Sequence, residues 1–198
     1  MRRFLLSLAI VLLAGCATKY PPVTEYRIEA QHKALQDTQS RCEKKSLTVA
    51  QVFVSGNLMS KKMKYVVGKY QEYAYNQSEW AENPNRAISD EILKVLQNSN
   101  LFKTVDSYKS FSRSDYTLES RVDDFSQHFS KDEKSSFVVV DMTFSLIDNK
   151  SAKIIASKHI KKTVKTKEAN AASGVAALNE ALSETLYEMS EWIAGSCI

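Results

Sequence analysis

The hydrophobic and polar positions of this chain change period several times, and these changes predict an alternation of strands and helices. Residues 137–147 place apolar side chains at every second position, which predicts the strongest strand of the chain. Its apolar face is Val138, Val140, Met142, Phe144 and Leu146, and its polar face is Asp141, Thr143 and Ser145. Residues 148–151 follow as a hairpin turn, and residues 153–164 return as a second long strand. Lysines on both faces late in this second strand indicate an edge of the sheet or a strand that extends beyond the core.

Two stretches repeat apolar residues at three- and four-residue steps, the period of a helix that packs on one side. The first helix is predicted over residues 84–98, with Asn83 as its N-cap and Pro84 at its first position. The second is predicted over residues 167–193, with a thin surface of small residues at 171–174. Its apolar stripe is Val175, Leu178, Leu182, Thr185, Leu186, Met189 and Ile193, and its polar face is Asn179, Glu180, Ser183, Glu184 and Glu188.

Shorter segments with β-type patterns complete the fold. They lie at residues 25–29 (an edge strand), 47–54, 63–67, 70–75, 101–105 and 116–122. Residues 30–46 are polar and predicted to be helix or loop. The fold class is therefore α/β (α+β): one domain over residues 25–198, with a mixed or antiparallel β-sheet and two main helices packed on it.

The N-terminus has the pattern of a secretory signal. Arg2 and Arg3 precede an apolar run over residues 4–12, which is shorter than the roughly 20 residues of a permanent membrane span. The sequence Leu-Ala-Gly-Cys that ends at Cys16 resembles a bacterial lipobox. The resemblance implies a signal peptide at 1–15, a lipidated tether at 16–24, and diacylglycerol and N-acyl chains on Cys16. Ala17 then implies the periplasmic face of the outer membrane; the alternative is an ordinary signal peptide with a chance cysteine.

Composition and charge narrow the class of partner. The chain is 43% hydrophobic and 25% charged, as in an ordinary globular domain. Loss of Arg2 and Arg3 with the signal would lower the net charge from +4 to +2, which is too small to favour nucleic acid. Lysines cluster at positions 61, 62, 64, 158, 161, 162, 165 and 167. They indicate a solvated strand face or, alternatively, a surface for anionic headgroups or an acidic partner.

Cys42 and Cys197 remain as a pair if Cys16 is acylated. Disulfides persist outside the cytoplasm, so these two residues are the disulfide candidate. A bond between them would close a loop of about 155 residues. Two free thiols are the alternative that the sequence leaves open.

Catalytic and metal-binding patterns are not found in the sequence. His32, His128 and His159 are isolated, and no His-Glu-x-x-His, Gly-x-Ser-x-Gly, phosphate-binding glycine loop or Cys-x-x-Cys motif occurs. Asp123, Asp124 and Asp132 lie near His128, which raises a metal site as one interpretation and a polar loop as the favoured one. We expect a protein without catalytic residues, without a metal, and without a cofactor other than the acyl chains on Cys16.

Aromatic residues are the remaining candidates for contact with a partner. Tyr73 and Tyr75 lie in a tyrosine-rich strand, and Trp80 lies between that strand and the first helix. Tyrosine and tryptophan are enriched at interface hot spots, which makes these three residues partner-binding candidates. For Trp80, packing against the sheet is the favoured role.

The order of these features resembles the ABC-type transport auxiliary lipoproteins, the Pqi-type partners of MCE-domain lipid transport proteins. After the lipobox come a Tyr-x-Ile strand at Tyr26, Leu-Thr-Val-Ala-Gln-Val at 47–52, and a Leu…Lys-Met-Lys-Tyr segment at 58–65. A Trp-Ala-Glu-x-Pro signature at 80–84 then leads into a helix, and the last helix ends Glu-Trp-Ile at 191–193.

The resemblance implies a function in transport rather than catalysis. The chain would dock the periplasmic MCE-domain protein of an ABC transporter at the outer membrane, and self-association in a ring is plausible. One rival is a carrier or assembly lipoprotein that itself binds lipid or lipopolysaccharide and needs an apolar cavity between sheet and helices. A structural subunit of a secretion or pilus machine is the other rival.

Overall fold

The computed structural model describes residues 21–31, 35, 40–54 and 56–197. Its helices are α1 (Pro84–Asn98) and α2 (Ala171–Ala194), and a 3-10 turn covers Gly56–Met59. The strands of this part of the chain are β1 (Thr24–Tyr26), β2 (Ser46–Val49), β3 (Phe53–Val54), β4 (Lys62–Val67), β5 (Gln71–Trp80), β6 (Thr104–Ser107), β7 (Tyr116–Phe129), β8 (Ser136–Asp148) and β9 (Lys153–Lys165).

Strand β7 is the centre of a single mixed sheet. Strand β8 pairs antiparallel with it from end to end, and β9 pairs antiparallel with β8. On its other side, β2, β3 and β4 lie parallel to its start, middle and end in turn. Outside them, β6 runs parallel to β2, β5 antiparallel to β4, and β1 parallel to β5. The sheet stays open, with β1 and β9 among its edges. We call the end with the β4–β5 and β7–β8 turns the hairpin end.

The core lies between this sheet and helix α2. The five residues predicted as the apolar face of the strongest strand are fully buried at 0% exposure: Val138, Val140, Met142, Phe144 and Leu146. Helix α2 contacts β8 and β9 and buries the predicted stripe against them. Helix α1 packs on β2 and β6 and buries Ile88, Ile92 and Leu96. The α/β class, the open mixed sheet and the two packed helices are therefore confirmed.

The helix bounds agree with the predicted ones to within one residue at three of four ends. Helix α1 spans the predicted residues, and Asn83 stands at its N-cap, where its carbonyl oxygen accepts hydrogen bonds from the backbone N–H of Arg86 and Ala87. Helix α2 starts four residues later than predicted, because the side chain of Asn170 caps it by accepting from the Ser173 N–H at 2.9 Å. Residues 167–170 therefore precede the helix.

The observed strand bounds differ most from the predicted ones where the alternation of apolar and polar residues is interrupted. Strand β7 continues to Phe129, seven residues beyond its predicted end, and a register shift between Val122 and Asp124 reverses the alternation within it. The polar loop expected around His128 is therefore wrong, because that residue lies inside a strand. The segment predicted as one strand at 47–54 is two short strands, β2 and β3.

Candidate docking surface

Four aromatic side chains form a cluster on the helix side of the sheet, near the hairpin end. Tyr65 lies at its centre, with ring centroids 5.7 Å from Tyr73, 4.6 Å from Tyr75 and 5.1 Å from Phe129. The helices mainly contact β2, β6, β7, β8 and β9, so the face of the β4–β5 hairpin stays accessible, and Tyr73 is 47% exposed. We call these four residues the tyrosine patch. Two of them, Tyr73 and Tyr75, are partner-binding candidates from the sequence.

A buried glutamine holds this patch in place. The Tyr75 hydroxyl donates to Gln127 Oε1 at 2.8 Å, and Gln127 Nε2 donates to Ser136 Oγ at 2.8 Å and to the Asn170 carbonyl at 3.2 Å. Burial raises the pKa of the Tyr75 phenol, which keeps it protonated as the donor. Gln127 therefore joins the patch to β8 and to the start of α2. Gln127 was not predicted from the sequence, because a single glutamine in a strand gives no local signal.

Gly174 makes room for that glutamine. A Cβ atom at this position would lie 1.9 Å from Gln127 Oε1 and 2.5 Å from its Cδ. Gly174 belongs to the thin surface of small residues predicted at 171–174, and the close neighbour that it admits is this side chain. Any larger residue would have to displace the buried amide and its hydrogen bonds.

Trp80 lies in the core and is not part of the patch surface. It is 3% exposed, its ring centroid lies 5.9 Å from that of Phe125, and its backbone N–H donates to the Lys61 carbonyl at 2.8 Å. Trp80 therefore packs in the core, which is the role that the sequence favoured for it. Contact between Trp80 and a partner would require this ring to leave the core.

The disulfide candidate forms a disulfide in the structure. Cys42 and Cys197 are bonded, with Cα atoms 5.3 Å apart, and both are buried. Next to the bond, the Arg41 N–H donates to the Ala194 carbonyl at 2.9 Å. The bond therefore joins the segment before β2 to the end of α2. Cys16, the lipidation candidate, lies outside the described residues, as does His32.

Residues 27–31, which follow β1, are held between the two helices; we call them the strap. The Ala30 N–H donates to Glu91 Oε2 of α1 at 2.9 Å, and the Gln31 N–H donates to Ser183 Oγ of α2 at 2.8 Å. Asn179 of α2 accepts from the Glu29 N–H and donates to the Arg27 carbonyl, each at 3.2 Å. Polar side chains thus replace a neighbouring strand as partners for this backbone.

Glu91 is a buried carboxylate, and its hydrogen bond with the strap explains why it is buried. It is 3% exposed, and its second oxygen accepts from Lys94 Nζ at 2.6 Å. That hydrogen bond raises the pKa of the Lys94 ammonium. A buried charge is tolerated only when it is paired and hydrogen-bonded, and Glu91 has both kinds of partner. Asn179 and Ser183 lie on the predicted polar face of α2, and Ser183 is only 6% exposed because the strap covers it.

Several lysines of β9 form ion pairs within the domain. Lys158 and Lys162 reach the two oxygens of Glu188 on α2, at 3.2 and 2.9 Å. The hydrogen bond from Lys162, opposed by burial, lowers the pKa of Glu188. On the other face, burial raises the pKa of Asp141, but hydrogen bonds from Lys161 and His159 outweigh it and lower the pKa overall. These residues connect β8, β9 and α2, so the cluster is more than a solvated strand face.

His128 lies beside a serine and an aspartate, the residue types of a catalytic triad, but the three side chains do not have the geometry of a triad. Its Nε2 lies 2.8 Å from Asp124 Oδ2 and 3.1 Å from Ser126 Oγ. Both partners share one ring nitrogen, and the Ser126 hydroxyl itself donates to Asp124. A triad needs the serine and the carboxylate at opposite nitrogens of the ring. Asp132 lies in the β7–β8 turn, bonded to Ser130, and the described residues contain no cluster of ligands suited to a metal ion.

The chain matches one protein family over most of its length. A profile for the ABC-type transport auxiliary lipoprotein component matches residues 26–190. No curated protein is similar enough in sequence to count as a match. In the part of the chain that the structure describes, no helix has the length and apolar character of a membrane span.

Solved structures share the fold at low sequence identity. A Xanthomonas campestris protein assigned to the DUF330 family is 16% identical, with a TM-score of 0.77 over 85% of this chain and 94% of that one. An uncharacterised protein is 17% identical, with a TM-score of 0.66 over 87% and 99%. A hypothetical protein of Chlamydia trachomatis is 10% identical, with a TM-score of 0.52 over 77% and 97%.

From the profile match over residues 26–190, the chain belongs to the ABC-type transport auxiliary lipoprotein family.

Proposed function

We propose that this lipoprotein is held at the periplasmic face of the outer membrane by diacylglycerol and N-acyl chains on Cys16, and docks the MCE-domain protein of an ABC-type lipid transport system there. The family is one of membrane-anchored periplasmic transport auxiliaries. Anchoring confines the domain to a surface, which raises the effective concentration of its docking face for the partner. The chain itself needs no catalytic residue, metal or cofactor for this role.

The observation that carries the proposal is the tyrosine patch, an ordered aromatic surface that neither helix covers. Tyr73 supplies exposed ring area and stacks on Tyr65 of the neighbouring strand, and Tyr65 in turn packs against Tyr75. Rigid tyrosines offer a large contact area at a low cost in side-chain entropy, which is typical of interface hot spots. Trp80 supports the same hairpin from the core and acts through it. Self-association of the domain in a ring is compatible with this surface.

The rival function, a carrier of lipid or lipopolysaccharide, requires an apolar cavity between sheet and helices. The corresponding space is filled by fully buried side chains of both layers, including Phe144, Leu182, Leu186 and Met189. A large surface depression, of about 650 Å³, is lined instead by charged groups beside the strap, such as Arg27, Glu82 and Asp90. A filled core favours the docking function over the lipid-carrier function.

Site-specific photocrosslinking tests the docking face. A photoreactive phenylalanine replaces Tyr73 in one variant and Tyr108 in a control. Tyr108 is similarly exposed (43% against 47%) and lies in the turn after β6, away from the β4–β5 hairpin. We expect the lipidated Tyr73 variant, in its native membranes, to capture an MCE-domain protein, with permease and ATPase co-purifying. The control should capture little. Equal capture at both positions would reject the patch, and capture of lipid alone would favour the carrier.

A further inference from the structure

We propose that the hairpin end of the sheet is a second membrane contact. It would lie on the surface of the bilayer that holds the acyl chains, with Tyr70 in the interface and Lys69 and Lys131 over the headgroup phosphates. This inference rests on the acyl anchor at Cys16 proposed above, and it concerns the orientation of the domain on the membrane.

The position and direction of β1 determine which part of the domain the anchor can reach. Strand β1 runs parallel to β5, with Thr24 beside Ser78 and Tyr26 beside Trp80, so the chain enters β1 from the side of the hairpin end. The eight residues from Cys16 to Thr24 can span at most about 29 Å. Tyr70 precedes Ser78 by eight positions along the hairpin, a distance on the order of 26 Å. A membrane at the hairpin end is therefore within reach of the anchor.

The opposite end of the sheet is far from that membrane. Strand β7 runs the length of the sheet with 14 residues, which corresponds to roughly 45 Å. The β8–β9 turn, with Lys150, lies at the end where β7 begins. With the hairpin end on the bilayer, this turn would face the periplasm.

The hairpin end has the side chains of an interfacial surface. Gly68, with φ of +63°, forms the β4–β5 turn, a backbone conformation that favours glycine. The turn projects Tyr70, which is 84% exposed, and Lys69 Nζ lies 5.1 Å from the centre of its ring. Beside it, a mostly apolar depression of about 640 Å³ is lined by Val67 and the stem of Lys131 among others. Tyrosine and lysine place an apolar body near lipid and a polar tip at the headgroups.

The charges at this end favour an anionic surface. The β4–β5 and β7–β8 turns together carry Lys69, Lys131 and Lys134, against Asp132 and Glu133. The hydroxyl of Ser130 and the backbone N–H of Lys134 donate to Asp132, and these hydrogen bonds lower the pKa of its carboxyl. The Asp132 carboxylate therefore stays ionised, and the three ammonium groups of the two turns exceed the two carboxylates by one positive charge. A lysine near an anionic bilayer strengthens binding by roughly fivefold.

Tryptophan quenching in vesicles tests the orientation. The acylated protein is placed in vesicles of phosphatidylethanolamine and phosphatidylglycerol with brominated acyl chains, as Tyr70→Trp and as the control Lys150→Trp in the β8–β9 turn. Both variants keep Trp80 and Trp192, so each signal is compared with that of the unsubstituted protein. We expect quenching of the new tryptophan in the Tyr70→Trp protein and none in the control. Lys69→Glu with Lys131→Glu should weaken the quenching, and Lys150→Glu with Lys153→Glu should not.

The mass of the N-terminal peptide from the same sample separates the two proposals. Acylated protein in which Tyr70→Trp is no more quenched than Lys150→Trp would overturn the orientation and leave the anchor intact. Protein without acyl chains on Cys16 would overturn the anchor, and the orientation with it. Selective quenching of acylated Tyr70→Trp supports both.

Discussion

Gly174 offers the sharpest test of how the tyrosine patch is held. Replacement by alanine in a helix ordinarily stabilises by about 1 kcal/mol. Here the new Cβ would lie 1.9 Å from Gln127 Oε1, and Gln127 is 2% exposed, so the amide has no solvent to move into. Overpacking costs typically about 1–3 kcal/mol, and a buried polar group left without its partner costs a further ~1–3 kcal/mol. We expect Gly174→Ala to lower the free energy of unfolding by about 2–4 kcal/mol.

Urea unfolding followed by circular dichroism measures that change. Gly56→Ala is the matched control, because a Cβ there meets nothing within 4 Å, and its effect should stay within about 0.5 kcal/mol. Gln127→Ala in the Gly174→Ala background removes the clash, so the double variant should lose at least ~1 kcal/mol less than the sum of the single variants. A neutral or stabilising Gly174→Ala, or strict additivity, would refute the reasoning.

Three further predictions concern other parts of the domain. Replacing Cys42 and Cys197 by serine should lower the free energy of unfolding by about 3–5 kcal/mol in urea, since the bond closes a 155-residue loop. Asp141 has a folded pKa below its unfolded value, so its stabilisation is present above about pH 4 and disappears as pH falls through the folded pKa. Asp141→Asn should therefore destabilise at pH 7, and the loss in urea unfolding should shrink steadily as pH falls below about 4. Glu91→Gln should weaken the acceptor for the strap, seen as faster hydrogen exchange at the Ala30 amide, with unchanged exchange in β8 as the control.

Regular patterns made much of the fold predictable. Strand β8 alternates without interruption and was predicted to within a residue at each end, and α1 combines an apolar stripe with Pro84 at its first position. Both signals are local, because burial of one face follows directly from a period of 2 or 3.6 residues. The disulfide was predictable as a pair because few cysteines remain after Cys16.

The rest depends on contacts between residues far apart in sequence. The bulge near Asp123 shifts the period within β7, so its second half has no continuous pattern to read. Gln127 and Glu91 look like ordinary polar positions until the fold places Tyr75, Asn170 and the strap beside them. Such hydrogen bonds satisfy buried polar groups at separations that no local window contains.

The strap and the disulfide also determine how the domain would bear a pull from the membrane. A force on Cys16 directed toward the hairpin end acts along β1, and it loads the β1–β5 hydrogen bonds in parallel rather than one after another. Beyond β1, the same chain is fixed to α1 by Glu91 and to α2 by Ser183, and then by Cys42 to the end of α2. Detaching the N-terminal segment would therefore require contacts with both helices to break in addition to the β1–β5 hydrogen bonds. Under the proposed anchoring, a pull on the N-terminus would therefore pass into β5, which carries Tyr73 and Tyr75, and into both helices, so that the anchor and the tyrosine patch would belong to one rigid body.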